Sequence, residues 1–341
     1  MKERIKWIDI LRALAMFAVV LGHVVRGGEV QTYLYSFHFG LFMFISGLVT
    51  SDRQESFGHF LRREFRRLLI PYLFFGVISV VIYQVLGRYA AGALGEEFNG
   101  SLLTNLGYLL YGSSKNGQME YNHPLWSLTC LFVCDVIYYL LRTFRPKPLK
   151  KELWLTGWIP VFALLGWLNS TRWQLVLPFQ AETALIMMVF YLAGRLLREP
   201  LGSLKMKKPA MLAVGLLLIV IAGFIGMKNG RVRYSGDVYN SYPLLWLSAF
   251  GSIIGYLLMA RVIDRNRVLE YVGASTMAIL VMHKFPVLFF QTIVPQTRKL
   301  LADNNLPVAL IVAVIAIAMC LIAERIILLI CPALVGKKKE K

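Results

Sequence analysis

Apolar runs of membrane-crossing length recur along this sequence, near residues 7–25, 33–50, 68–87, 124–142, 153–169, 183–197, 210–227, 242–260, 274–294 and 307–330. A helix of about 20 apolar residues spans the hydrocarbon core of a bilayer, so the pattern predicts an all-α integral membrane protein, a bundle of about ten transmembrane helices. The sixth run is the shortest. With 57% of 341 residues hydrophobic and only 16% charged, an ordinary soluble domain is excluded.

A formal net charge of +18 would suit a nucleic-acid partner if it formed one face. Instead the basic residues fall in short clusters between the apolar runs, so no nucleic acid is expected. With the N-terminus placed in the cytoplasm, roughly 25 basic residues fall inside and about 9 outside, the asymmetry that orients membrane proteins. Both termini are then cytoplasmic, and residues 1–341 form a single membrane-embedded domain with a basic tail over 337–341. The compartment is a cell membrane, of bacterial plasma-membrane type. Asp9 and Arg12 interrupt the first run and no small-residue cleavage site follows it, which favours a mature helix over a cleaved signal. The four cysteines have no zinc-like spacing and read as inert core residues.

The first run, Trp7 to Val25, holds Asp9, Arg12 and His23, each costly in hydrocarbon unless it meets a partner or a wet cavity. Arg12 and His23 are eleven positions apart, so on a helix they point within roughly 20° of each other and lie about 16 Å apart along the axis. Asp9 is one turn before Arg12 and within reach of it. One helix face therefore offers a cation toward the inside and an imidazole toward the outside. A histidine that snorkels to the interface is the structural alternative, and the shared face with Arg12 favours function.

Other polar groups join this pair. His38, in the second run, is predicted at the depth of His23, with ligand, catalytic and structural roles all open. Ser46-Gly47 closes that run. Arg62, Arg63, Arg66 and Arg67 follow within six residues; they suit an anion on the Arg12 side, although a positive-inside flank would look the same. Residues 87–122 form the longest external stretch, expected to act as a lid or re-entrant segment. His123 and Trp126 open the fourth run, Asp135 lies within it, Glu182 begins the sixth, and His283-Lys284 interrupts the ninth. Asp135 and Glu182 would orient or charge-balance a cavity, and Glu324 and Arg325 would pair with neighbours at the inner boundary. Phosphate-gripping cations at one end, a base at the other and a wet path between them suit a donor with an anionic head and a long thin arm, the shape of a coenzyme A thioester. No Gly-rich phosphate loop, His-Glu-x-x-His element or Gly-x-Ser-x-Gly elbow is present, and no metal is expected.

Asp9-Ile-Leu-Arg12-Ala-Leu-Ala followed by His23, Phe37-His38 leading to Phe42-Met43-Phe44-Ile45-Ser46-Gly47, and Arg63-Glu64-Phe65-Arg66 running into Leu68-Leu69-Ile70-Pro71-Tyr72 together resemble the membrane acyltransferase-3 family, integral-membrane O-acyltransferases of surface and secreted carbohydrates. Leu125-Trp126 and His283 add weaker support. The resemblance implies that Arg12 and His23, with Asp9 beside them, are the active pair, and that Arg63, Arg66 and Arg67 contact acyl-CoA. His38, Trp126, Glu182 and His283 become candidate substrate-binding residues. Phe39-Gly40 stands where many members have Met-Pro, and Leu280 where many have an aromatic residue. The sequence ends soon after the tenth run, so the esterase-like domain fused to some members is not expected.

The expected function is transfer of an acyl group, acetyl first, from cytoplasmic acetyl-CoA to a carbohydrate hydroxyl, with His23 as general base or transient acyl carrier. The expected partners are the lipid bilayer, acyl-CoA and the carbohydrate acceptor, with room for a homo-oligomer. The alternative is a polytopic transporter or flippase for a polar or anionic solute.

Overall fold

The computed structural model describes residues 5–95, 98 and 100–337; of the expected basic tail only Lys337 is among them, and 338–341 lie outside the described residues. The described chain is helical, with one isolated bridge pair between Arg233 and Val238. In order it forms α1 (Lys6–Val24), α2 (Gly28–Val49), a short α3 (Phe57–Glu64), a wide turn over Phe65–Leu69, and α4 (Ile70–Leu94). Then come α5 (Leu102–Tyr111), α6 (Trp126–Thr143), α7 (Lys151–Leu168), α8 (Ala181–Gly202), α9 (Lys208–Asn229) and α10 (Tyr242–Ile263). The last quarter holds α11 (Arg267–Ala274), α12 (Thr276–Met282), α13 (Lys284–Thr292), α14 (Pro295–Ala302) and α15 (Leu306–Ile330).

Eight helical segments among the described residues are long and apolar enough to cross a membrane, fewer than the ten expected. The two expected runs that do not qualify have physical reasons. The sixth lies in α8, whose 22 residues include Glu182, Arg195, Arg198 and Glu199. The ninth is broken into α11, α12 and α13. Ser275 leaves helical geometry between the first two, and Pro286 has no N–H to give the carbonyl one turn back, at Met282.

Helix α1 lies at the centre. Its apolar window is 72% buried against 22% for α9, and it packs on α2, α10, α11 and α15. Sequence explains the local starts: Ser56, Ser101, Asn266 and Asn305 cap α3, α5, α11 and α15 by accepting backbone N–H groups that the first turn leaves unpaired. Among the described residues of 87–122, more than half are helical. Helix α4 continues to Leu94, and α5 folds back along it, with the Tyr72 hydroxyl donating to the Leu109 carbonyl at 2.6 Å.

The Ser46-Gly47 pair owes its form to the α2–α8 contact. A Cβ on Gly47 would sit 1.8 Å from the Tyr191 carbonyl oxygen, and one on Gly194 would sit 2.0 Å from that of Phe44. The two backbones touch, which is how small residues bring membrane helices together. Gly47→Val is expected to cost about 3 kcal/mol, the upper range of overpacking, because backbone cannot rotate aside. Thermal unfolding of the detergent-solubilised protein measures it; an unchanged midpoint would refute the close approach.

Candidate active site

Three cavities follow one stripe of α1, at Arg12, Met16, Val19 and His23, the spacing of a single helix face. The first, about 500 Å³, is lined by Arg12, Met16, Arg63, Arg67, Arg142 and Lys337, with the carboxylates of Glu64 and Asp135. The third, about 80 Å³, shares Phe42, Ser46, Leu128, Leu131 and Leu280 with the first. It shares His23, His38, Phe39 and Trp126 with the second, an open cavity of about 1110 Å³. A basic chamber, an apolar throat and a histidine-lined chamber thus adjoin in series.

The basic chamber is built on a change of helical register. Arg63 and Arg67, four residues apart on one helix face, line the chamber, and the wide turn at Phe65–Leu69 carries Arg66 off that face into a shallow surface hollow with Arg62, Phe65 and Ile70. Glu64, only 4% exposed, accepts from Arg63 Nε at 2.9 Å and from Arg67 Nε at 2.6 Å. Arg67 also donates to Asp135 at 2.6 Å, and the Tyr191 hydroxyl completes that carboxylate at 2.8 Å. Arg12 donates to Asp9 at 3.1 Å, and Asp9 itself is buried behind the wall. Five cations and two carboxylates line the chamber, and Asp9, Glu55 and Glu324 pair with Arg12, Arg63 and Lys337 from outside that lining.

A strap over residues 50–56 closes one side of this chamber, with Thr50 and Ser51 on its wall. Lys151 and Arg195 pair with Asp52, Tyr138 donates to it at 2.7 Å, and Arg142 donates to the Arg53 carbonyl at 2.7 Å. Burial pushes the Asp52 carboxyl up, but bonds from Arg195, Lys151 and Tyr138 outweigh it and hold the group well below the usual carboxylate range.

At the other end His23 meets two further imidazoles. The His283 ring is centred 5.2 Å away, and Tyr35 stands edge-on to both His23 (6.1 Å) and His38 (4.9 Å). His38 Nδ1 lies 2.6 Å from the Leu34 carbonyl, and His283 Nδ1 lies 2.9 Å from those of Ile279 and Leu280. A carbonyl only accepts, so both imidazoles donate from Nδ1. His283 is fully buried behind His23 and is not on a cavity wall. Trp126 is on the wall, its ring 4.3 Å from Phe39. Glu182 is one layer back, 3.3 Å from Lys115.

Sequence reasoning missed the groups that hold this end in place. Gln31 donates to the carbonyls of Gly22 (2.9 Å) and Val25 (2.8 Å), and Gln291 to those of His23 and Val24 at 3.0 Å each. The last carbonyls of a helix have no intrahelical partner, and two amides satisfy them here. An amide at the edge of a membrane-length run was the available signal. Lys115 also escaped notice. It pairs with Asp237 and Glu182, and Asp237 in turn accepts from Asn169 (2.7 Å), Thr183 (3.0 Å) and Tyr239 (2.6 Å), tying together loops far apart in sequence.

The arginines of the basic chamber are the groups suited to an anionic ligand; among the described residues no three His, Cys, Asp or Glu side chains gather as a metal site would. A family model described as an acyltransferase domain matches residues 5–325. No curated protein and no solved structure gives a significant match.

Proposed function

We propose, given that the chain belongs to the acyltransferase-3 family, that it moves an acetyl group from cytoplasmic acetyl-CoA to a hydroxyl of a cell-surface or exported carbohydrate. The observation that carries this reading is the series of cavities along α1, with cations at one end, imidazoles at the other and a narrow throat between. The nucleotide phosphates would sit among Arg12, Arg63 and Arg67. The pantetheine arm, thin and uncharged, suits the throat, and brings the thioester toward His23. His23 takes the proton from the acceptor hydroxyl as its oxygen bonds to the thioester carbon. The carbon–sulfur bond then breaks, and the thiolate recovers that proton to leave as free coenzyme A. Gln31 and Gln291 hold the backbone of His23, and His283 packs behind its ring.

The continuity of the cavities also favours a second reading, a transporter for an anionic solute. Purified protein in liposomes separates the two: acyl transfer consumes acetyl-CoA and releases free thiol, and transport leaves the thioester intact.

The register change makes a sharper test within the first reading. Arg63→Gln should raise the KM for acetyl-CoA about tenfold, the size of one lost charge-assisted hydrogen bond, while Arg66→Gln changes it less than about twofold. Steady-state kinetics on both variants decides; equal effects would contradict the chamber assignment.

A further inference from the structure

The wider chamber beyond the throat has a charge pattern that the acyl-transfer reading leaves unused. Its wall carries Lys115, Arg231, Arg233 and Lys284 against Glu120 and Asp237. The Asp237 carboxylate is spent internally, on Lys115, Asn169, Thr183 and Tyr239. Arg231 and Arg233 are both exposed, and among the described residues neither has a carboxylate partner. Arg231 lies over the Tyr35 ring at 5.0 Å, and that ring is edge-on to His23 and His38. The guanidinium is therefore one aromatic ring removed from the imidazoles. In the orientation of the proposed function this end faces outward, where the positive-inside rule gives cations no topological reason to gather.

We propose that this chamber selects a negatively charged carbohydrate, one bearing a carboxylate or phosphate group, and that Arg231 and Arg233 bind that anion while a neighbouring hydroxyl meets His23. The inference rests on the acyl-transfer reading and adds the class of acceptor. Guanidinium suits both anions because its paired N–H groups match two oxygens at once. Trp126 and Phe39 supply the apolar surface against which a sugar ring stacks.

The test incubates native membranes containing the full chain with radiolabelled acetyl-CoA and separates the acylated glycans by anion exchange. The expected label is retained on the column. Carboxyl reduction moves it to the neutral fraction if the anion is a uronate, and dephosphorylation does so if it is a phosphate. Label confined to neutral glycans would overturn the proposal and leave acyl transfer standing. Label on no glycan at all would sink acyl transfer itself, and the proposal with it. In the purified reaction, Arg231→Gln with Arg233→Gln should raise the acceptor KM about tenfold and remove most of its salt dependence, and Arg231→Lys should keep that dependence. If the double variant does not fold, Arg233→Gln alone, at an exposed position, should raise the same KM; an unchanged KM there counts against the proposal.

Discussion

Replacing His23 by Ala should lower acyl transfer by about 10²–10⁴-fold, the usual contribution of a positioned general base, with the protein still folded. The side chain is half-buried at the meeting point of the throat and the wider chamber, so its removal leaves space that water can enter. The backbone bonds from Gln31 and Gln291 go to carbonyls and survive the change. Activity with a synthetic acceptor, beside a size-exclusion profile of the same preparation, is the decisive pair of measurements. Substantial turnover by a well-folded His23→Ala protein would end the assignment. His23→Gln extends the test: it preserves polarity and cannot take up a proton, so it should be nearly as inactive.

Lys115→Met should be the most destabilising single change around the histidine-lined chamber, by about 3–5 kcal/mol. Lys115 is 8% exposed and faces Asp237 and Glu182, the latter 1% exposed. Without the ammonium, two carboxylates would share a buried site without the cation that both of them face, the arrangement that costs most. Adding Asp237→Asn and Glu182→Gln should recover part of the loss, because the buried charges go with the cation that balanced them. Thermal unfolding of the single and triple variants measures both arms. A triple variant no more stable than Lys115→Met would show that the cluster acts by packing rather than by charge.

The sequence carried the axis of the site more clearly than its walls. Arg12 and His23 share one continuous helix, so the 3.6-residue repeat relates them directly. Arg66 and Arg67 both lie within one turn of Arg63 in a regular helix, but the wide turn beginning at Phe65 takes Arg66 off the wall and leaves Arg67 on it, and no residue type announces such a turn. The ten-run count weakened where polar chemistry entered the runs, at the ends of α8 and at Ser275 and Pro286. Lys115 and Asp237 are 122 residues apart, and only the folded chain brings them together. Ser46-Gly47, read first as a motif, acquires a cause in the contact with Tyr191.

The throat bears on a problem any catalyst set between two aqueous compartments must solve, which is to pass a chemical group without discharging the membrane. Its lining is mostly apolar, with Val19, Phe42, Met43, Leu128, Leu131 and Leu280, and its polar groups are His23, His38, Ser46, Ser127 and the indole of Trp126. An ion would find few groups there to replace its water, whereas an acyl chain would meet apolar contacts along its length. On the proposed reading this constriction would both guide the acyl arm and resist ions, so small-residue substitutions at Phe42 or Leu280 should trade catalytic alignment for ionic leak.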